Sequence, residues 1–256
     1  SFVDDDQGGG INGLNLFHAI RSLVQRGNLD QLLVYFSGHG FLQGYSEYWV
    51  LSGAPANPSE TVAVRECAEL ARFSGIPNVV FVSDACRSVP SSLGIGQIQG
   101  GYKIFPSGDG YHPRMTVDMF FATSPGKVAY EVNLSRSTPN YKGVFTEAFL
   151  QAFQYPEPEM VWTLDNGINV IPNRRMRDFL LRETQRRAQE AKITLEQRTD
   201  VRVTSQADHV FIGRVGRPGS GAVSVPSPGV RPDDASTQAA LAEIVQFTAK
   251  ALPKTG

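Results

Sequence analysis

The 256-residue sequence is short of several things, and each shortage excludes a class of protein. Cysteine is nearly absent, with Cys67 and Cys86 alone, too few for a disulfide framework. Together with only four histidines they make a poor structural zinc site, so no metal cofactor is expected. No charge of one sign dominates: 24 basic residues face 25 acidic ones. That balance argues against a partner gripped by bulk electrostatics, such as duplex nucleic acid or an anionic membrane surface. No uninterrupted apolar run approaches the ~18 residues of a membrane span, and no signal peptide opens the chain. A reducing, cytoplasmic setting is the expectation. Methionine is missing before Met115 and the chain opens at Ser1, so we expect an N-terminal part to be absent from it.

What is present is an alternation of short apolar runs with helical periodicity, the pattern of an α/β layer fold with a largely parallel sheet. Phe2-Val3, followed by Asp4-Asp5-Asp6, reads as a strand end entering a loop. Leu14, Phe17, Ile20, Leu23 and Val24 repeat at helical spacing up to Gly27. The runs Leu32–Phe36, Tyr48–Leu51, Val79–Val82, Met119–Ala122 and His209–Ile212 predict strands. Helices are predicted over Val62–Phe73, Val144–Phe153 and Asn173–Lys192. The last carries seven Arg/Lys against three Asp/Glu and reads as a helix on the sheet with a solvated basic side. Cys67, among Val64, Ala68 and Ala71, reads as a small core residue. The expected peptidase-sized domain covers 1–215. A Pro/Gly-rich linker over 216–234 and a helix over Ala235–Leu252, within a 235–256 tail, follow it.

Two strand ends carry the chemistry. One reads Phe36-Ser37-Gly38-His39-Gly40 and the other Val82-Ser83-Asp84-Ala85-Cys86-Arg87. In open α/β sheets, sites assemble at the carboxyl ends of strands, so neighbouring strands would turn His39 and Cys86 to one cleft. A cysteine nucleophile needs an imidazole to favour the thiolate and to protonate the leaving amine. It also needs amide donors for the tetrahedral oxyanion, a part open to the Gly40 and Cys86 N–H groups. The bland alternative is a core cysteine and a satisfied histidine that happen to end two strands.

At these residues the sequence resembles the caspase-like cysteine peptidases: caspases, metacaspases and paracaspases. Ser37-Gly38-His39-Gly40 is similar to the family's histidine motif and Asp84-Ala85-Cys86-Arg87 to its cysteine motif. The distance between them is close to the about 50 residues by which the caspase histidine precedes its cysteine. Phe121–Gly126 and Gly143–Thr146 resemble later family segments, so the likeness runs over roughly residues 2–213. It implies a three-layer α/β/α sandwich with a mostly parallel central sheet, whose usual first strand is missing from this chain. It implies a cysteine endopeptidase with Cys86 as nucleophile, His39 as general acid/base, and Gly40 and Cys86 as oxyanion donors. Ser37 and Asp84 match positions lining the metacaspase pocket for the residue before the scissile bond. A carboxylate at Asp84 would favour Arg over Lys and repel an acidic side chain; the alternative is that Asp84 caps a backbone turn and never meets substrate. The implied partner is a protein or peptide substrate with a basic residue at that position, alongside an absent N-terminal segment or a regulatory subunit.

The Gly-, Ser- and Pro-rich stretch 87–114 follows the nucleophile, and mobility with self-cleavage after Lys103 or Arg114 is expected there. His112 within it has no assigned role, nor have His18 and His209. Some metacaspases need calcium, but the Asp4–Asp6 run lacks the alternate-position spacing of a calcium loop. Two rivals stand beside the peptidase reading: a catalytically inactive caspase-like interaction module, and a separase-like or legumain-like enzyme.

Overall fold

The computed structural model of the chain describes residues 10–54, 56–89, 100–107, 115–129, 131–133, 141–191, 198–206, 208, 210–215 and 242–248, with the backbone alone over 131–133, 141–142 and 242–248. In chain order the first elements are α1 (Gly13–Gln25), β1 (Gln31–Gly38), β2 (Gly40–Gln43), β3 (Ser46–Val50), β4 (Thr61–Ala63), α2 (Val64–Ala71), β5 (Asn78–Ala85) and β6 (Thr116–Phe121). Then come β7 (Glu131–Asn133), β8 (Tyr141–Gly143), α3 (Val144–Gln154), β9 (Trp162–Thr163), β10 (Asn169–Pro172), α4 (Met176–Glu190), β11 (Asp200–Arg202), β12 (Phe211–Arg214) and β13 (Ala242–Thr248).

The central sheet has the order β11-β6-β5-β1-β13. All its neighbours run parallel except β11, which is antiparallel to β6. The apolar runs of β1 and β5 are continuous because both faces are covered. Leu32, Val34 and Phe36, with Val79 and Phe81, pack under α1 and α2 on one face. Leu33, Val80 and Val82 pack under α3 and α4 on the other. The period-2 alternation of a strand thus feeds two hydrophobic layers, which is the expected three-layer α/β/α sandwich. Asn12 caps α1, its Oδ1 accepting from the Asn15 N–H at 2.8 Å.

Three expectations are corrected. The helix expected from Val62 begins at Val64, because β-branched Thr61 and Val62 pair with Val50 and Trp49 as β4. The helix expected over Ala235–Leu252 is a strand over its described part: Ala242–Thr248 runs parallel to β1 from Gln31↔Ala242 to Ser37↔Thr248. Its Ile244-Val245-Gln246-Phe247-Thr248 run suits a strand, and the outer edge of a buried strand must pair its backbone groups. The edge of β1, where the usual first strand of the fold would lie, is therefore occupied by β13. Finally, the mobility expected over 87–114 does not extend to 100–107. Tyr102 exchanges backbone hydrogen bonds with Thr61 and Ala63 at 2.6 and 3.1 Å, and Ile104 and Phe105 are buried in the core. Asp4–Asp6, His112, Arg114, His209 and the 216–234 linker lie outside the described residues.

Candidate active site

The parallel register of β1 and β5 ends with Ser37 opposite Asp84 and Gly38 opposite Ala85. The pairing resumes beyond the strands, where Phe41 bridges Ser88 and the Leu42 N–H donates to the Ser88 carbonyl at 3.0 Å. Between those two points lie His39 and Cys86, side by side at the carboxyl end of the sheet. Gly40 sits against the cysteine segment so closely that a Cβ there would lie 2.6 Å from the Cys86 carbonyl oxygen. Only glycine fits. Behind the pair, the His39 carbonyl accepts from the Val50 N–H at 2.8 Å, and Trp49 donates its indole N–H to Ser83 Oγ at 2.9 Å. Trp49 also stacks on Phe36, so β3 is fixed beneath the strand ends by an aromatic and a polar contact at once. His39 is exposed and Cys86 half-buried.

The two cysteines differ in kind. Cys67 is fully buried on α2 and accepts from the Ile104 N–H at 3.3 Å. Burial pushes its thiol up to about 12, which suppresses the thiolate and fits the core role read from the sequence. Cys86 instead lies where the chain after β6 crosses: its thiol approaches the Ala129 carbonyl at 3.6 Å, while Arg87 and residues 126–127 exchange backbone hydrogen bonds.

Ser37 and Asp84 point to the face that carries α3. Asp84 is 7% exposed, and its Oδ2 accepts from both the N–H (3.2 Å) and the hydroxyl (2.5 Å) of Thr146, in the first turn of α3. The Thr146 hydroxyl is also 2.7 Å from Tyr35 OH. A Cβ on Gly143, the residue before α3, would fall 1.9 Å from Asp84 Oδ2. Asp84 therefore caps a helix from a neighbouring strand, which orients its carboxylate at the strand end. Neither Thr146 nor Tyr35 was identifiable as a site residue from sequence, although the Gly143–Thr146 segment was singled out.

A buried ion cluster holds the residue after the nucleophile. Arg87, 2% exposed, donates to Glu47 of β3, to Asp200 of β11 at 2.8 Å and to the Thr123 carbonyl at 2.9 Å. Its guanidinium lies 4.2 Å over the Phe121 ring. Arg202 shares Asp200 Oδ2 at 2.7 Å and stands 3.7 Å from Glu47. Burial works to raise the Asp200 carboxyl, but hydrogen bonds from Arg202 and Arg87 outweigh it and hold the group below the usual carboxylate range. Glu47 and Asp200 carried no motif, and sequence reasoning missed them. Most of the basic side of α4 is occupied by ion pairs, Arg182 with Glu157 and Arg186 with Glu183 and Glu190 among them.

A caspase-domain family model matches residues 11–199, from the start of α1 to the edge of β11. The chain belongs to the caspase-domain family. A search of curated proteins finds no match. The matched span contains both strand-end motifs, the Gly143–Thr146 segment and every member of the Arg87 cluster before Asp200. Membership makes this a peptidase domain of the cysteine-dependent caspase type, with protein as its substrate class. It favours that reading over the separase-like and legumain-like alternatives. No helix among the described residues is long and apolar enough to cross a membrane.

Proposed function

We propose that this caspase-domain chain is a cysteine endopeptidase that cleaves after a basic residue, Arg in preference to Lys. The observation that supports it most is the adjacency of His39 and Cys86 at the ends of paired strands, with Gly40 packed on the Cys86 carbonyl. In this reading the Cys86 thiolate attacks the scissile carbonyl carbon and the backbone N–H groups of Gly40 and Cys86 stabilise the oxyanion. The His39 imidazole, having taken the thiol proton, returns it to the leaving amine, and a water then hydrolyses the acyl-enzyme. Thiolate and imidazole supply nucleophile and proton transfer between them, so the chemical steps call for no cofactor.

Asp84 and Ser37 would form the floor of the pocket before the scissile bond. A carboxylate fixed in direction by Thr146 offers a guanidinium a defined partner, and burial strengthens the attraction. Self-processing in the 87–114 stretch is proposed after Arg114 and no longer after Lys103, whose flanking residues are pinned into the core. A cytoplasmic location goes with this reading, since two cysteines are too few for a disulfide framework. The test is a panel of fluorogenic peptides cleaved by wild type beside Cys86→Ala. Turnover after Arg by the wild type alone supports the reading, and absence of any turnover favours the inactive interaction module.

A further inference from the structure

Away from the cleft, a cavity of about 440 Å³ opens between the β2–β3 hairpin, α2, β6 and the segment after β11. That size falls within the ~300–1,000 Å³ of small-molecule sites. Leu42, Ala68, Val117 and Met119 give it apolar walls. Among the described residues the charges around them are Arg65, Arg72 and Arg202 against Glu47 and Glu69, a surplus of one positive charge. Both glutamates are already engaged, Glu47 by Arg87 and Glu69 by Arg72. Arg202 remains 48% exposed and Arg72 32%, so each guanidinium can present donors to an incoming group. An apolar body satisfies the walls, and a single carboxylate satisfies the charge surplus through paired N–H donors.

We propose that this cavity binds a small amphipathic carboxylate, one acidic group on an apolar stem of a few carbons. Two of its walls, Glu47 and Arg202, belong to the cluster that holds Arg87, the residue after Cys86. A carboxylate that draws Arg202 off leaves Asp200 Oδ2 to Arg87 alone, and the hold on the cysteine segment tightens. Occupancy is thereby coupled to the peptidase site, a consequence that rests on the function proposed above.

The test is calorimetric titration of hexanoate into the Cys86→Ala protein, with hexylamine and hexan-1-ol as charge controls. Saturable one-site binding of hexanoate is expected, with both controls at least tenfold weaker. Arg65→Gln and Arg72→Gln, singly and together, should weaken hexanoate, the pair by tenfold or more, without moving the thermal midpoint. Absence of saturable binding at tens of millimolar, equal binding of hexan-1-ol, or full binding by the paired variant would overturn the site. In the wild-type enzyme, saturating hexanoate should raise kcat at least twofold at constant KM. An unchanged or lowered kcat would overturn the coupling while the calorimetry decides the site. A wild type that cleaves no peptide would count against the peptidase reading, and the titration would still stand.

Discussion

Thr146 donates both its backbone N–H and its hydroxyl to one oxygen of Asp84. A threonine hydroxyl has a single proton, so once that proton is on Asp84 the contact with Tyr35 must run from the tyrosine O–H to Thr146 Oγ1. The chain Tyr35→Thr146→Asp84 spans β1, α3 and β5, so the carboxylate that holds the helix is the one proposed to meet the substrate. Thr146→Val removes the hydroxyl with little change of shape. It should cost about 1 kcal/mol of stability, as a lost hydrogen bond does, and lower kcat/KM on Arg peptides more than on Leu peptides. Thermal denaturation together with matched-peptide kinetics checks both halves.

Substrate choice is read by Asp84→Ala. On peptides with Arg before the scissile bond the variant should lose about 2–5 kcal/mol of transition-state binding, and far less on Leu. Wild-type preference for Asp at that position would refute the pocket.

The dyad has its own test. Cys86→Ala should abolish cleavage and His39→Ala should reduce it by about 10²–10⁴, the usual worth of a general acid/base. Gly40→Ala should also lose most turnover, since the added Cβ would lie 2.6 Å from the Cys86 carbonyl oxygen and force the cysteine segment to shift. Retained turnover in Cys86→Ala would remove the nucleophile assignment.

Cys67 makes stability fall in alkali. Its folded-state thiol stays protonated up to about 12, whereas the unfolded thiol ionises near the ordinary 9.0. Between those values the unfolded chain binds fewer protons, so stability declines as pH rises, by about 1 kcal/mol per pH unit. Urea melts at pH 8 to 11 should show that slope in wild type and a shallower one in Cys67→Ala, with turnover at pH 7 near wild type. Equal slopes would mean that the Cys67 thiol does not govern the loss.

The Arg87 cluster is tested from the acid side. A carboxyl held below its ordinary range contributes stability above that range and loses it as pH falls through the lowered value. Asp200→Asn should therefore flatten the acid limb below about pH 4, where an unfolded Asp begins to protonate. Arg87→Met should be much worse at neutral pH, about 3–5 kcal/mol, because it leaves buried Glu47 with Arg202 alone, at 3.7 Å. A loss under about 1 kcal/mol in Arg87→Met would show that the cluster holds nothing.

Much of this was legible because it is periodic or local. The two-faced runs of β1 and β5, the helical repeats of α1 and α4, and the motifs around His39 and Cys86 are each confined to one short stretch of at most 15 residues. The partners of Arg87 are Glu47 and Asp200, far off on either side, and no local pattern marks an ion pair assembled by a sheet. Thr146 was hidden for the same reason, since its role depends on which strand ends beneath α3. The expected helix over Ala235–Leu252 failed through competition: alanines favour helix locally, but an unpaired edge on β1 favours strand.

That last strand has a consequence for how the protein is made. Gln31 and Ala242 are register partners more than two hundred residues apart in sequence. Contacts of such separation form slowly, because loop closure must precede any reward from pairing. The pairing of β1 with residues 242–248 is therefore expected to form later in folding than its pairing with β5, whose residues lie less than fifty positions away. The strand that leads to His39 is thus held on one side by a near neighbour in sequence and on the other by the most distant pairing in its sheet.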